Sequence, residues 1–189
     1  MGVVWIGMYR MGLAYYYHDQ HQFPLLDFGD ICTMTQSLDG SLWLGTNDSG
    51  LRHYDFKSRS LSAVNKSQDR LGSDVVVSSL ATRDGSLWFG AFQGGLVRLR
   101  NGVYTRYGTG KNGLTCHDVW SLAELPNGDI AIGTLGGGLQ ILNPKAGTFT
   151  TYNTRNTRLP SNYIASVSVM PDGWLALGPL CRCLTSEAS

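Results

Sequence analysis

Four groups of residues in this chain have types that could do chemistry, and each would require a particular structural setting. Gly108-x-Gly110-x-x-Gly113 spells a dinucleotide fingerprint. That fingerprint works only between a strand and a helix whose N-terminus meets a pyrophosphate, and here the letters fall in a link between two short apolar segments. Gly136-Gly137-Gly138 has the look of a phosphate cradle, but its counterparts Asp48-Ser49-Gly50 and Gln93-Gly94-Gly95 mark it as a recurring bend. Cys32, Cys116, Cys181 and Cys183 lack the regular spacing of a disulfide framework, and Cys32 and Cys116 read as small packed or surface thiols. Cys181-x-Cys183 is too tight and too solitary for zinc, which takes four ligands. His18, His21, His53 and His117 are scattered, and no His-Glu-x-x-His, Cys-x-x-Cys or Gly-x-Ser-x-Gly pattern is present. These residues indicate no catalytic group, no metal site and no cofactor. The expectation is a chain that is not itself an enzyme.

The elements that position these residues repeat. Gly-x4-Gly-Leu occurs at Gly7–Leu13, Gly45–Leu51, Gly90–Leu96 and Gly133–Leu139. The turn pairs Asp39-Gly40, Asp84-Gly85, Asn127-Gly128 and Asp172-Gly173 stand 45, 43 and 45 residues apart. Trp5-Ile6-Gly7 recurs as Trp43-Leu44-Gly45 and Trp88-Phe89-Gly90, then weakens to Ala131-Ile132-Gly133 and Ala176-Leu177-Gly178. Each unit reads as four short strands. The first carries an apolar residue followed, two positions on, by a small hydroxyl: Ile31 and Thr33, Val76 and Ser78, Val119 and Ser121, Ile164 and Ser166. An Asp-Gly or Asn-Gly hairpin turn follows, then the second strand, the Gly-x4-Gly bend, and the third and fourth strands. No stretch of ten residues has a 3.6-residue apolar period, so very little helix is expected. Four antiparallel strands in about 45 residues is the size of a β-propeller blade, with a β-sandwich as the alternative.

The unit resembles the two-component regulator propeller repeat. Ser41-Leu42-Trp43-Leu44-Gly45-Thr46 and Gly50-Leu51-Arg52-His53-Tyr54 are close to that family's pattern, as is the repeat junction Leu159-Pro160-Ser161-Asn162-Tyr163-Ile164. The resemblance covers about residues 3–178. It implies an extracytoplasmic, periplasmic sensor segment of a bacterial signalling protein, often a hybrid histidine kinase that detects glycans. The phosphotransfer machinery and other downstream signalling domains would lie elsewhere in a longer parent chain.

The expected fold is therefore all-β, a propeller of four-stranded antiparallel blades with about four blades. A partial blade spans 3–25, full repeats span 26–70, 71–113 and 114–158, a partial blade spans 159–178, and 179–189 is expected to be a degenerate or truncated tail. The N-terminal strands could pair with Tyr163–Met170 in one composite blade and close a four-bladed ring. The favoured alternative is an open segment of a longer, seven-bladed propeller, whose open sheet edges would invite self-association. A net charge of +1 with 15% charged residues gives no electrostatic case for nucleic acid or an anionic membrane. No apolar run is long enough for a membrane span, and no signal-peptide pattern precedes the first strand.

Trp5, Trp43 and Trp88 share one repeat position and are expected to pack between blades. Trp120 differs, because its counterparts are Cys32, Val77 and Ala165, so it is a candidate to line a pocket. In a propeller the links between blades and the bends between second and third strands emerge on one face. Residues there that vary between repeats are the candidate ligand-binding set: Tyr9, Arg10, Asn47, Asp48, Asp74, Phe92, Gln93, His117 and Asn162, with Trp120. Such a mixture of aromatic, amide and charged groups suits an oligosaccharide or small polar ligand. Replacing Asp74 and His117 with alanine is expected to weaken oligosaccharide binding with little change in stability. The alternatives are an accessory or catalytic propeller of a carbohydrate-active enzyme, and a protein-binding scaffold.

Overall fold

The computed structural model describes residues 3–8, 12–17, 25–26, 28–68 and 70–179. Within them lie seventeen strands: β1 (Val3–Met8), β2 (Gly12–Tyr17), β3 (Leu25–Leu26), β4 (Ile31–Gln36), β5 (Leu42–Thr46), β6 (Leu51–Asp55), β7 (Ser60–Val64), β8 (Val76–Ala81), β9 (Leu87–Ala91), β10 (Gly95–Arg100), β11 (Val103–Tyr107), β12 (Val119–Glu124), β13 (Ile130–Thr134), β14 (Leu139–Asn143), β15 (Thr148–Tyr152), β16 (Ile164–Val169) and β17 (Leu175–Pro179). They form five antiparallel sheets taken in chain order, β1–β3, β4–β7, β8–β11, β12–β15 and β16–β17. The single helical element described is a three-residue 3-10 turn, Lys66–Gln68. No helix among the described residues is long and apolar enough to cross a membrane. The all-β blade architecture expected from the repeat is the fold.

Burial follows strand order within a blade. Every residue of β5, β9 and β13 is buried, which explains why Leu-Trp-Leu-Gly-Thr and its copies read as continuous apolar runs: both faces meet a neighbouring blade. The fourth strands β11 and β15 are largely exposed. The first strands stack on one another, β4 on β8, β8 on β12 and β12 on β16. Four apolar clusters fill the four gaps between successive sheets. Trp43 lies in one gap beside Phe89, 5.7 Å between ring centroids, and Trp88 in the next beside Ile130 and Leu142. Both tryptophans are buried in equivalent places, as their shared register requires.

The four predicted hairpin turns are built alike. In each, the glycine N–H donates to a carbonyl three residues back, as Gly85 does to Thr82 at 2.9 Å, and the glycine has positive φ, 80–88°. The preceding acidic or amide side chain accepts the N–H two residues on: Asp39 from Ser41, Asp84 from Ser86, Asn127 from Asp129 and Asp172 from Trp174. This is why the position takes only Asp or Asn. The Ser37 hydroxyl, then the Ser41 hydroxyl and amide, hold the Asp39 carboxyl at about 2. Partial burial of Asp84 opposes ionisation, but the Ser86 amide, the Thr82 and Ser86 hydroxyls and Arg100 outweigh it and hold that carboxyl at about 2.

The stack of blades is an open arc. β16 pairs with β17 and β1 with β2, and no ladder among the described residues joins the two end sheets. The composite blade that would close a four-bladed ring is not formed among the described residues, so the arc is open there. The hydroxyl noted in every first strand has a role here. Thr33 and Ser79 hydroxyls lie 2.7 Å apart across two blades, and the Ser121 hydroxyl accepts the Val167 N–H at 2.9 Å. First strands of adjacent blades share no ladder, and these side chains tie them instead.

Candidate functional site

Antiparallel order sends alternate connections to opposite faces of the arc. The bends after β5, β9 and β13 and the links before β8, β12 and β16 share one face, which is where the candidate ligand residues were expected. One backbone rule unites the link residues. The carbonyls of Asp74, His117 and Asn162 accept the N–H of Gly50, Gly95 and Gly138, each from the bend of the preceding blade, at 2.8–2.9 Å. Those glycines have φ of 75°, 74° and 85°, which a side chain would strain.

Side chains at the same three positions also follow a rule. Asp74 Oδ1 accepts the Lys66 N–H at 2.6 Å, Asn162 Oδ1 accepts the Thr154 N–H at 2.8 Å, and His117 Nε2 lies 2.8 Å from Thr109 Oγ1. Each partner is the residue eight positions earlier, so the residue types vary while the task, closing the link, does not. The expectation that these side chains are free of structural duty is corrected here. Asp74→Ala and Asn162→Ala are each expected to destabilise the fold by about 1 kcal/mol, the net worth of a typical hydrogen bond. His117→Ala should cost less, because Thr109 can turn its hydroxyl to water. Urea unfolding of the three variants checks this order, and unchanged midpoints for Asp74→Ala and Asn162→Ala would refute it.

Trp120 owes its position to a β-bulge. In all four first strands the register shifts at the residue between the apolar and hydroxyl positions: Cys32, Val77, Trp120 and Ala165. A bulge leaves that residue unpaired and re-aims its side chain. Trp120 thereby meets Phe92 edge-on, with ring centroids 6.5 Å apart. Both are incompletely buried. Beside them the Gln93 N–H donates to Asp118 Oδ1 at 2.8 Å, and Gln93 adopts φ of 56°. Gln93 and His117 line one cleft of about 390 Å³ together with Arg106 and Tyr107, over a floor of Gly72, Gly94 and Gly108.

The structure therefore gathers Phe92, Gln93, His117 and Trp120. Asn162 lines a separate cleft of about 220 Å³ with Asn153 and Arg155. Asn47 and Asp48 are exposed on an earlier bend, where Asp48 accepts the Ser49 hydroxyl at 2.6 Å. Tyr9 and Arg10 lie outside the described residues, as do His18, His21, Cys181 and Cys183. Arg106, Tyr107 and Asp118 were missed as site residues; the repeat does expose the link before each first strand as the wall of a cleft, which was the available signal. Burial, then Asp30 and Asp48, push the Cys32 thiol up, which keeps it protonated and poorly nucleophilic. Among the described residues no cluster of His, Cys, Asp and Glu could hold a metal ion.

The chain matches no protein-family model and no curated protein sequence. Its fold is similar to that of the extracellular domain of the hybrid two-component system BT3049 from B. thetaiotaomicron, with a TM-score of 0.76 and 26% identity over 94% of this chain and 24% of that one. The extracellular domain of BT4673 from the same organism gives a TM-score of 0.73 at 22% identity, covering 94% of this chain and 25% of that one. The WD40 propeller domain of Doa1, at a TM-score of 0.66 and 18% identity over 94% of this chain and 57% of that one, is alike in fold alone. This chain spans about a quarter of the length of the two bacterial domains. The likeness to these two-component domains agrees with the two-component regulator propeller repeat that the sequence resembles.

Proposed function

We propose that this chain is a sensing segment of the extracytoplasmic, periplasmic propeller of a bacterial two-component signalling protein, and that it recognises a glycan or another small polar ligand without catalysing a reaction on it. The observation that carries this reading is the meeting of Phe92 and Trp120, 6.5 Å apart, next to the cleft lined by Gln93 and His117. An incompletely buried aromatic pair supplies a surface for apolar sugar faces, and the adjoining amide and imidazole orient hydroxyls. The carboxylates beside this cleft support binding over hydrolysis, since Asp74 and Asp118 each accept a backbone N–H. Likeness to the extracellular domains of BT3049 and BT4673 supports the signalling context. The test is an NMR titration of the chain with a panel of oligosaccharides. Shifts are expected at Phe92, Gln93, His117 and Trp120, and Trp120→Ala should weaken binding roughly tenfold, the factor given by about 1.4 kcal/mol. Shifts confined to other surfaces, undiminished affinity in Trp120→Ala, or turnover of a substrate by the chain alone would each overturn the proposal.

A further inference from the structure

The opposite face, which carries the hairpin turns, has a cleft in each of two successive gaps between blades. The gap between the β4–β7 and β8–β11 blades holds one of about 400 Å³, and the gap between the β8–β11 and β12–β15 blades holds one of about 510 Å³. Aligning the repeats separates scaffold from variation. Asp39 and Asp84, Trp43 and Trp88, Gly85 and Gly128, and Leu87 and Ile130 are matched pairs. Where the two gaps differ, the larger one repeatedly gains a cation: Leu38 becomes Arg83, His53 becomes Arg98 and Asp55 becomes Arg100. The turn of the following blade brings Asn101 and Gly102 to the first cleft, and Pro144 and Lys145 to the second.

These cations are only half compensated. Arg83 pairs with Glu124 at 3.1 Å and donates to the Leu125 and Pro126 carbonyls, so it cross-braces the two blades. Arg98 and Arg100 share one carboxylate, Asp84, at 3.0 and 3.4 Å. Arg98 is held further by the Ser86 hydroxyl at 3.0 Å and by the Trp88 ring, 5.2 Å from its guanidinium carbon. Lys145 is exposed and has no side-chain partner among the described residues. The acid nearest in sequence, Asp129, accepts from the Asn127 amide and does not line the cleft. The lining thus carries four cations against two carboxylates, and one arginine is already fixed in place by packing.

We propose that this cleft binds the oxyanion of a small polar molecule, a carboxylate, sulfate or phosphate ester, between Arg98, Arg100 and Lys145. A pre-positioned guanidinium with donors beyond those given to Asp84 suits the planar or tetrahedral oxygens of such a group. The site is separate from the Phe92–Trp120 face and does not depend on that reading.

The test titrates the chain, at low ionic strength, with sodium sulfate, sodium phosphate, sodium glucuronate and uncharged glucose, followed by backbone amide NMR. Saturable shifts are expected at Arg98, Arg100, Asn127 and Lys145 with at least one anion and not with glucose, and the three anion arms identify the group preferred. Arg100→Gln combined with Lys145→Gln should weaken that binding at least about tenfold, as loss of charge-assisted hydrogen bonds does. Lys145→Gln alone, at an exposed and unpaired position, should weaken it measurably while leaving the fold intact. Absence of saturable shifts, equal shifts with glucose, unchanged affinity in both variants, or shifts at Gln93 and His117 instead would each overturn the proposal.

Discussion

Trp88→Ala is expected to lower stability by about 3–5 kcal/mol, the range for removing a fully buried large aromatic side chain. Trp88 is 1% exposed and fills the gap between the third and fourth blades with Leu96, Leu114, Val119, Ile130, Ile132 and Leu142. It also carries the Arg98 guanidinium and lies 5.7 Å from Tyr107, so its loss unseats the cation bound to Asp84 as well. The chain contains its own control. At the matching place in the next blade stands Ala131, fully buried, and there Leu139, Ile164 and Val167 with Leu175 and Leu177 fill the gap instead. Alanine is tolerated where neighbours have been rebuilt around it, and the neighbours of Trp88 have not. In an array whose units touch only the next in line, a weakened interface uncouples the two sides. Thermal unfolding should fall by roughly 10 °C, with hydrogen exchange faster in β9 and β13 than in β5. A drop of only a degree or two, or unaltered exchange in β9 and β13, would refute this account.

Gly90→Ala is expected to destabilise by about 2–3 kcal/mol through overpacking. Its backbone is not left-handed; what matters is how closely the next blade approaches. A Cβ at Gly90 would press on the Ser78 hydroxyl of its own blade, which can rotate away, and would also meet Val119 Cγ1 at 2.5 Å and the Val119 carbonyl at 2.9 Å, while one at Gly45 would meet the Val76 carbonyl at 2.7 Å. A backbone oxygen tied to the first strand of the next blade cannot give way without moving that strand. The glycine of Trp-x-Gly is therefore a spacing device, which lets the second strand of one blade lie against the first strand of the next. Gly110→Ala is the matched control, because nothing lies within 4 Å of a Cβ there, and a change within about 0.5 kcal/mol is expected. Chemical unfolding of the two variants side by side decides the matter. Equal stabilities would remove the spacing argument, and a large loss in Gly110→Ala would return a structural role to the letters Gly108-x-Gly110-x-x-Gly113.

Much of the blade was legible in the residues alone, because its rules act within one unit. A turn in which Asp39, Asp84, Asn127 or Asp172 caps an amide two residues on needs no partner blade. The apolar-x-hydroxyl spacing of the first strand likewise gave away its position, though not the bulge at its centre, since a bulge is defined by the strand opposite. Trp43 and Trp88 could be assigned to blade contacts because identical registers must be placed alike in a repeating fold.

Three features depended on the neighbouring blade and could not be read from one unit. Whether the arc closes depends on which strand meets β16, and β17 takes that place. Asp74 and Asn162 seemed free because their types vary, yet both carboxylate and amide can accept the one N–H that each link presents. The basic cleft draws its charges from the hairpin turn and third strand of one blade and from the first strand and a turn of the next. No window of the sequence contains it, because residues 40–60 positions apart are brought together only by stacking sheets. Local hydrogen bonding is written in adjacent residues, and so the sequence by itself determined the blade. Packing between blades decided the clefts, because the side chains that line them are chosen by distance in space.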